Sequence, residues 1–388
     1  MNSAITLTEE FEKALLDFYR LGIRTRSYSD EEGDYASLIL SQMRALDYDE
    51  AWIDKAGNVV GRVGTGPLVL HFDSHMDTVR AENDGWLRPP FSADCVEGRI
   101  YGRGSVDMKG GLSASVFAAA LAKKLGLLEG KTIYVTASVC EEYCDGVCLE
   151  HFYKESGVRP DYCVICEPSD NVITLGHTGK VQARIKTRGL SAHGSAPEKG
   201  KNAVYEMAEI ISRVDALNKR LHENGGGTIV LSDISCVTAS LNAVPSECEI
   251  YLDRRLRLNE TTAQVKEELD ALVHGKDAFW EPGTLVHKSW KGTELVYLPV
   301  HEPWKISEEH PLTQACCEAY SRVFGRKSER FDFWDFGTNA VVPVSMGIPV
   351  IGFGPGEYKL AHMTNECCDA KAVANACLFY TELCAQLG

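Results

Sequence analysis

The sequence predicts a two-domain α/β protein, a larger α/β unit on a parallel or mixed sheet interrupted by a smaller inserted α+β unit. Three observations predict it. With 388 residues, the chain exceeds what one hydrophobic core usually serves. Apolar runs of strand length recur at 68–72, 131–139 and 162–165, separated by helical stretches, as strands buried in a parallel sheet read. From about His177 the texture changes to strands that alternate apolar and polar residues, in the order β, α, β, β, α. Helical texture returns past Glu302-Pro303, which divides the chain into 1–177, 178–300 and 301–388.

Composition narrows the function classes. A hydrophobic content of 44% and a charged content of 24% describe an ordinary globular protein. A net charge of −15 argues against nucleic acid or an anionic membrane as partner. Glu9 and Glu10 stand where a signal peptide would place basic and then apolar residues. Fourteen cysteines, with neighbours such as Cys316-Cys317 and Cys367-Cys368, form no disulfide framework and fit a reducing cytoplasm.

Taken in order, Thr6 with Glu9 signals a capping box, and Phe11, Leu15 and Phe18 form an apolar helix face ended by Gly22. A second helix follows at 36–46, then strands at 51–53 and 58–63 around an Ala-Gly-Asn turn. The strand from Leu68 empties into a polar knot of His71, Asp73, His75 and Asp77. His75 and Asp77 leave an extended chain on the same face, so the carboxylate can hold one imidazole N–H. That pair fits a metal-ligating histidine with its supporting carboxylate, or merely a solvated strand end. The glycine-rich segment 101–111 is neither a P-loop nor a dinucleotide fingerprint. Its one carboxylate, Asp107, reads either as a ligand or as the N-cap of the alanine-rich helix at 114–125.

The strand at 131–139 ends in Cys140-Glu141-Glu142, and adjacent carboxylates on extended chain face opposite ways and can serve different tasks. The short run at 162–165 ends in Cys166-Glu167-Pro168. With ligand types at His75, Asp107, Glu142 and Glu167, the metal reading leads. In the inserted unit, His193, Asn242 and Arg255 have catalytic potential, although each alone reads more readily as a surface or structural residue. Near the end, an aromatic and acidic stretch at 331–339 precedes a strand and tight turn at 349–356. His362 lies beyond as a natural fifth ligand, before a closing helix at 370–386.

Together these residues resemble the dinuclear zinc peptidase family that includes aminoacylase, acetylornithine deacetylase, succinyl-diaminopimelate desuccinylase and carboxypeptidase G. The resemblance rests on His75-Met76-Asp77, Gly102-Arg103-Gly104 with Asp107-Met108-Lys109-Gly110, Glu141-Glu142, Cys166-Glu167-Pro168, Ser191-Ala192-His193, Asn242 with Pro245, Asp253 with Arg255, and His362. Segments 333–339 and 352–356 look most like a selenium-metabolism-linked hydrolase subgroup. The resemblance implies a ferredoxin-like inserted domain acting as lid and dimerisation surface. It also implies that His75 and Glu167 bind one metal, Glu142 and His362 the other, and that Asp107 bridges them through a cis Asp107-Met108 peptide. Glu141 would be the general base for a water shared by two Zn²⁺ (or Co²⁺ or Mn²⁺), with Asp77 supporting His75. His193 would reach a partner's active site in a homodimer, and Asn242, Arg255 and Asn339 would bind substrate. The implied reaction is hydrolysis of the amide of an N-acyl-amino acid or short peptide with a free carboxylate. A dipeptidase or carboxypeptidase is the nearest alternative, and a non-catalytic metal- or ligand-binding protein the most distant.

Overall fold

The computed structural model describes residues 5–81 and 85–387. Its larger unit is a nine-stranded mixed sheet. The middle strands Lys131–Ser138, Leu68–His75, Tyr162–Ile165 and Val350–Gly352 lie in that order and run parallel. Val59–Gly64 and Glu50–Ile53 extend one side as antiparallel strands, and Thr174–His177 with Trp304–Lys305 extend the other. Register decides where the chemistry falls. His75 stands opposite Ser138, and Asp73 opposite Ile165, so three neighbouring strands finish within two residues of level. Residues just beyond those ends share the crevice where open α/β sheets bind ligands.

Helix Lys109–Lys124 is buried on nearly every side, which its alanines permit by letting neighbouring backbones approach. It packs between the sheet and the closing helix Ala370–Gln386. The first helix, Glu9–Arg24, is capped by Thr8, whose hydroxyl accepts from the Phe11 amide, and not by Thr6. It also runs through Gly22, which is buried against the Tyr35 ring, so that glycine provides close approach and not a stop. Asp107 does not cap the next helix, which begins after Met108 without a side-chain cap, and the Asp107–Met108 peptide is cis.

A second hydrophobic core belongs to an antiparallel sheet in the order Thr228–Val237, Glu247–Leu256, Gly179–Arg188, Ala278–Pro282. Helices Ala203–Glu223 and Thr262–Val273 cover one face through Met207, Ile210, Val214, Val265 and Leu269. The capping box of Thr261 and Gln264 is present in full. Two antiparallel strand pairs with two helices on one face make this the ferredoxin-like α+β unit, inserted between strand Thr174–His177 and strand Trp304–Lys305 of the main sheet. The hairpin Leu285–Lys288/Glu294–Tyr297 and strand Thr174–His177 are additional to the elements read from the sequence.

Candidate active site

At these strand ends, five side chains from five separate segments converge. His75, the last residue of its strand, places Nε2 2.9 Å from Asp107 Oδ1 and 3.5 Å from Glu167 Oε1. His362 places Nε2 3.1 Å from both Asp107 Oδ2 and Glu142 Oε2. Asp107 therefore stands between two histidines, one oxygen toward each. Two sets of ligand atoms, from His75, Glu141 and Glu167 and from His75, Asp107 and Glu142, lie within 4.8 Å of one another. Imidazole and carboxylate donors at this spacing fit a divalent cation, and the absence of a thiolate from either set favours a borderline ion such as Zn²⁺ over a soft one.

The electrostatics of the protein alone are those of an over-concentrated set of acids. Burial pushes Glu141 and Glu167 well above the usual carboxylate range, with neighbouring carboxylates adding to it and His75 opposing. Burial raises Glu142 too, and Asp107 adds to the effect. Burial acts in the same direction on Asp107, yet hydrogen bonds from His362 and His75 hold it below its ordinary value. His362, bonded to Asp107 and Glu142, is raised to about 10. Carboxylates so crowded call for cations, which is the chemistry a metal pair supplies.

The turn carrying Glu141 and Glu142 is held from below. Cys140 adopts φ 55°, a left-handed conformation uncommon outside glycine, and the Asp77 carboxylate caps the two amides that follow. Asp77 Oδ1 accepts from the Glu141 N–H at 3.0 Å, and Oδ2 from Glu142 N–H at 3.2 Å and Ser29 Oγ at 2.7 Å. The support expected for His75 comes mainly from the Asp77 carbonyl, 3.0 Å from Nδ1, with the carboxylate at 3.5 Å. One residue thus orients both a histidine and the pair of glutamates. Glu366, buried and paired with Arg103 at 2.5 Å, accepts from the amides of Val106 and Asp107 and fixes the neighbouring loop.

Above the cluster lies a cavity of about 370 Å³, lined on the far side by Asp145, Lys180, Arg255, Asp335, Phe336 and Tyr358. Of the residues expected to meet substrate, Arg255 is brought here. Asn339 is not. It is 3% exposed, its amide donates to Asp73 and Ser138, and its oxygen accepts from the Gly146 N–H. It is an internal strut because Asp73, a buried acid inside the sheet, needs its donors. His193 and Asn242 are also away from the cluster, in an exposed groove of the inserted unit, where His193 Nδ1 lies 2.7 Å from Ser195 Oγ. Cys140 and Cys166 are buried and belong to neither ligand set. Cys163 and Cys166 have a Cys-x-x-Cys spacing, but residues three apart on extended chain face opposite ways. Sequence reasoning missed Asp145 and Lys180. Asp145 follows Glu142 by three residues, and nothing local to Lys180 marks it.

The profile of Peptidase family M20/M25/M40 matches residues 71–386. The Escherichia coli K12 protein YgeY is 36% identical over 369 residues, covering 92% of this chain and 90% of its own. The acetylornithine deacetylase of Vibrio atlanticus is 28% identical over 325 residues, 80% of this chain and 79% of its own. Among solved structures, the M20 family metallo-carboxypeptidase Sso-CP2 from Sulfolobus solfataricus superposes with a TM-score of 0.74 at 19% identity, covering 97% of this chain and 99% of that one. A profile that spans the histidine strand, the paired glutamates and the closing helix, and a relative matched over nearly its whole length, lead to one conclusion: the chain belongs to peptidase family M20/M25/M40.

Proposed function

We propose that this protein is a two-metal amidohydrolase that cleaves an N-acyl-amino acid or short peptide retaining a free carboxylate. The observation that supports it is the convergence of His75, Asp107, Glu142, Glu167 and His362 beside an acid, Glu141, that hydrogen-bonds to none of the five side chains. In this reading His75 and Glu167 would hold one ion, Glu142 and His362 the other, and Asp107 would serve both. Two divalent cations, Zn²⁺ by donor type, would lower the pKa of a shared water and polarise the scissile carbonyl. Glu141, buried beside the cluster, would take the water's proton and later deliver it to the leaving nitrogen. Asp77 keeps Glu141 at its station by holding its amide. Arg255 receives the substrate carboxylate.

His193 and Asn242 act in trans in this reading, each chain of a homodimer offering its exposed groove to the partner's cavity. Strand Thr228–Val237 is an open sheet edge with Val230, Ile234 and Val237 exposed, and Leu241 beside His193 is fully exposed, so the surface suits pairing with a second copy. Residues 1–177 and 301–388 form the catalytic domain and 178–300 the lid. The fourteen free cysteines suit a cytoplasmic setting. The test is a panel of N-acetyl- and N-succinyl-amino acids and dipeptides, assayed before chelation, after it, and after zinc is restored. The reading expects hydrolysis of one class that chelation abolishes and zinc restores. Hydrolysis indifferent to chelation would overturn it, and cleavage confined to dipeptides would favour the dipeptidase reading.

A further inference from the structure

Two positive side chains stand in register on the lid side of the cavity. Lys180 and Arg255 are direct partners across the antiparallel strands Gly179–Arg188 and Glu247–Leu256, so both leave the sheet on one face, with Cβ atoms about 5 Å apart. Both line the cavity over the cluster. Like charges placed opposite each other destabilise a sheet unless anions stand beside them. Each cation has one carboxylate already, and neither is used up by it. Arg255 donates to Asp253 from Nε at 2.8 Å and Nη2 at 2.9 Å, which occupies one edge of the guanidinium and leaves the other without a partner among the described residues. Lys180 Nζ lies 2.6 Å from Asp145 Oδ2 and 5.3 Å from the centre of the Tyr297 ring, and its ammonium has three donors.

The pair of Lys180 and Asp145 is shielded, with 10% and 12% side-chain exposure, so it is held in place more firmly than an ion pair in open water. Asp145 sits on the segment that follows Glu142, so it fixes the lysine relative to the cluster itself. Space for its carboxylate depends on Gly337, where a Cβ would stand 2.8 Å from Asp145 Oδ2.

Resting on the amidohydrolase reading, we infer that Lys180 is a second specificity-determining cation, gripping the substrate's carboxylate together with the free edge of Arg255, while Asp145 positions the ammonium. An alternative ligand, a substrate ammonium on Asp145, would have to displace Lys180 and then face Arg255. A carboxylate meets both cations and breaks neither ion pair. The chemical consequence is a preference for a free carboxylate over the neutral carboxamide of the same compound.

The experiment measures binding, so that it does not depend on turnover. N-acetylglycine and N-acetylglycinamide, which lack a side chain that the pocket could refuse, are titrated by NMR into zinc-loaded Glu141→Gln protein. The same titration is made with Lys180→Met, Lys180→Arg and Lys180→Met/Asp145→Asn added to that background. The parent is expected to prefer the carboxylate by about tenfold or more, the worth of one charge-assisted hydrogen bond. Lys180→Met should lower that preference several-fold, Arg255 keeping the remainder, and Lys180→Arg should retain it. The double variant, which leaves no unpaired acid to unsettle the fold, should lower it to the same extent. A parent without preference, or a Lys180→Met protein with the parent's preference, overturns the inference. A protein that prefers the carboxylate through Lys180 yet hydrolyses nothing in the substrate panel counts against the hydrolase reading alone.

Discussion

In our reading Glu141 and Glu142 divide two functions that adjacent glutamates could share. Glu142 is bonded to His362, whereas Glu141 lies buried at the cavity floor with its amide held by Asp77. Removing only its charge tests the division: Glu141→Gln should retain the wild-type zinc content while turnover falls by roughly 10²–10⁴, the usual worth of a positioned acid or base. Zinc content is read by atomic emission and turnover on the best substrate of the panel. A variant near the wild-type rate would remove Glu141 from its role, and one that has lost its zinc would make it a ligand. Asp77→Asn should show a different pattern from Glu141→Gln. The amides of Glu141 and Glu142 lose their charged acceptor, so rate and metal affinity both fall while the fold persists.

The elements that present these side chains are pressed together at points where only hydrogen fits. A Cβ at Gly354 would stand 2.4 Å from the carbonyl oxygens of both Cys166 and Glu167, and one at Gly111 would stand 2.1 Å from Cys166 O. Gly354→Ala must therefore push the Glu167 segment off its strand end. It should cost about 1–3 kcal/mol in urea unfolding and weaken zinc binding in titration, although Gly354 touches no metal. Inside the sheet, His71 is buried between Tyr153 and Thr136, and burial lowers its pKa to about 3. Its folded pKa lies below the unfolded value of about 6.5, so the unfolded chain takes up the proton first and stability falls as pH drops through that window. From this group the loss approaches about 1.4 kcal/mol per pH unit. Urea unfolding at pH 7 and pH 5 should therefore show a smaller difference in His71→Gln than in the wild type.

What was legible in the sequence follows from the same local physics. Apolar runs that end in His75, Glu141-Glu142 and Glu167 announce themselves, because a buried parallel strand reads as a near-continuous apolar run and an acid just past its end stands out. Asp107 stayed ambiguous until the helix start showed that it caps nothing. Thr6 carries the capping-box spacing to Glu9, but the helix starts two residues later on Thr8, whose hydroxyl accepts from the Phe11 amide without a glutamate to complete the box. Asn339 sat in a suggestive aromatic stretch, but its partner Asp73 lies 266 residues away, and no local pattern encodes that bond. Lys180 was hidden for the same reason, since its meaning depends on register with Arg255 and on a loop from the other unit.

At the scale of the molecule, the two hydrophobic cores assign different work to the two units: one holds the cluster, the other carries Arg255, Lys180 and the groove of His193. Because that groove is apart from the cavity within one chain, a complete site in our reading requires two. Glu141→Gln and His193→Ala proteins, each inactive alone, should regain part of the activity when unfolded together and refolded, since a mixed dimer contains one site with both residues intact. Ile234→Lys, on the open sheet edge, should give a monomer by ultracentrifugation with little turnover. Active monomers would place His193 outside the mechanism. The central claim is nevertheless the pair of cations. Its most direct measurement is the zinc count per chain after loading and exhaustive dialysis, taken with the hydrolytic rate. The account predicts about two ions per chain, activity that rises and falls with their number, and a lower count in His362→Ala. A chain that retains no divalent ion, or one that works at full rate without any, would contradict it.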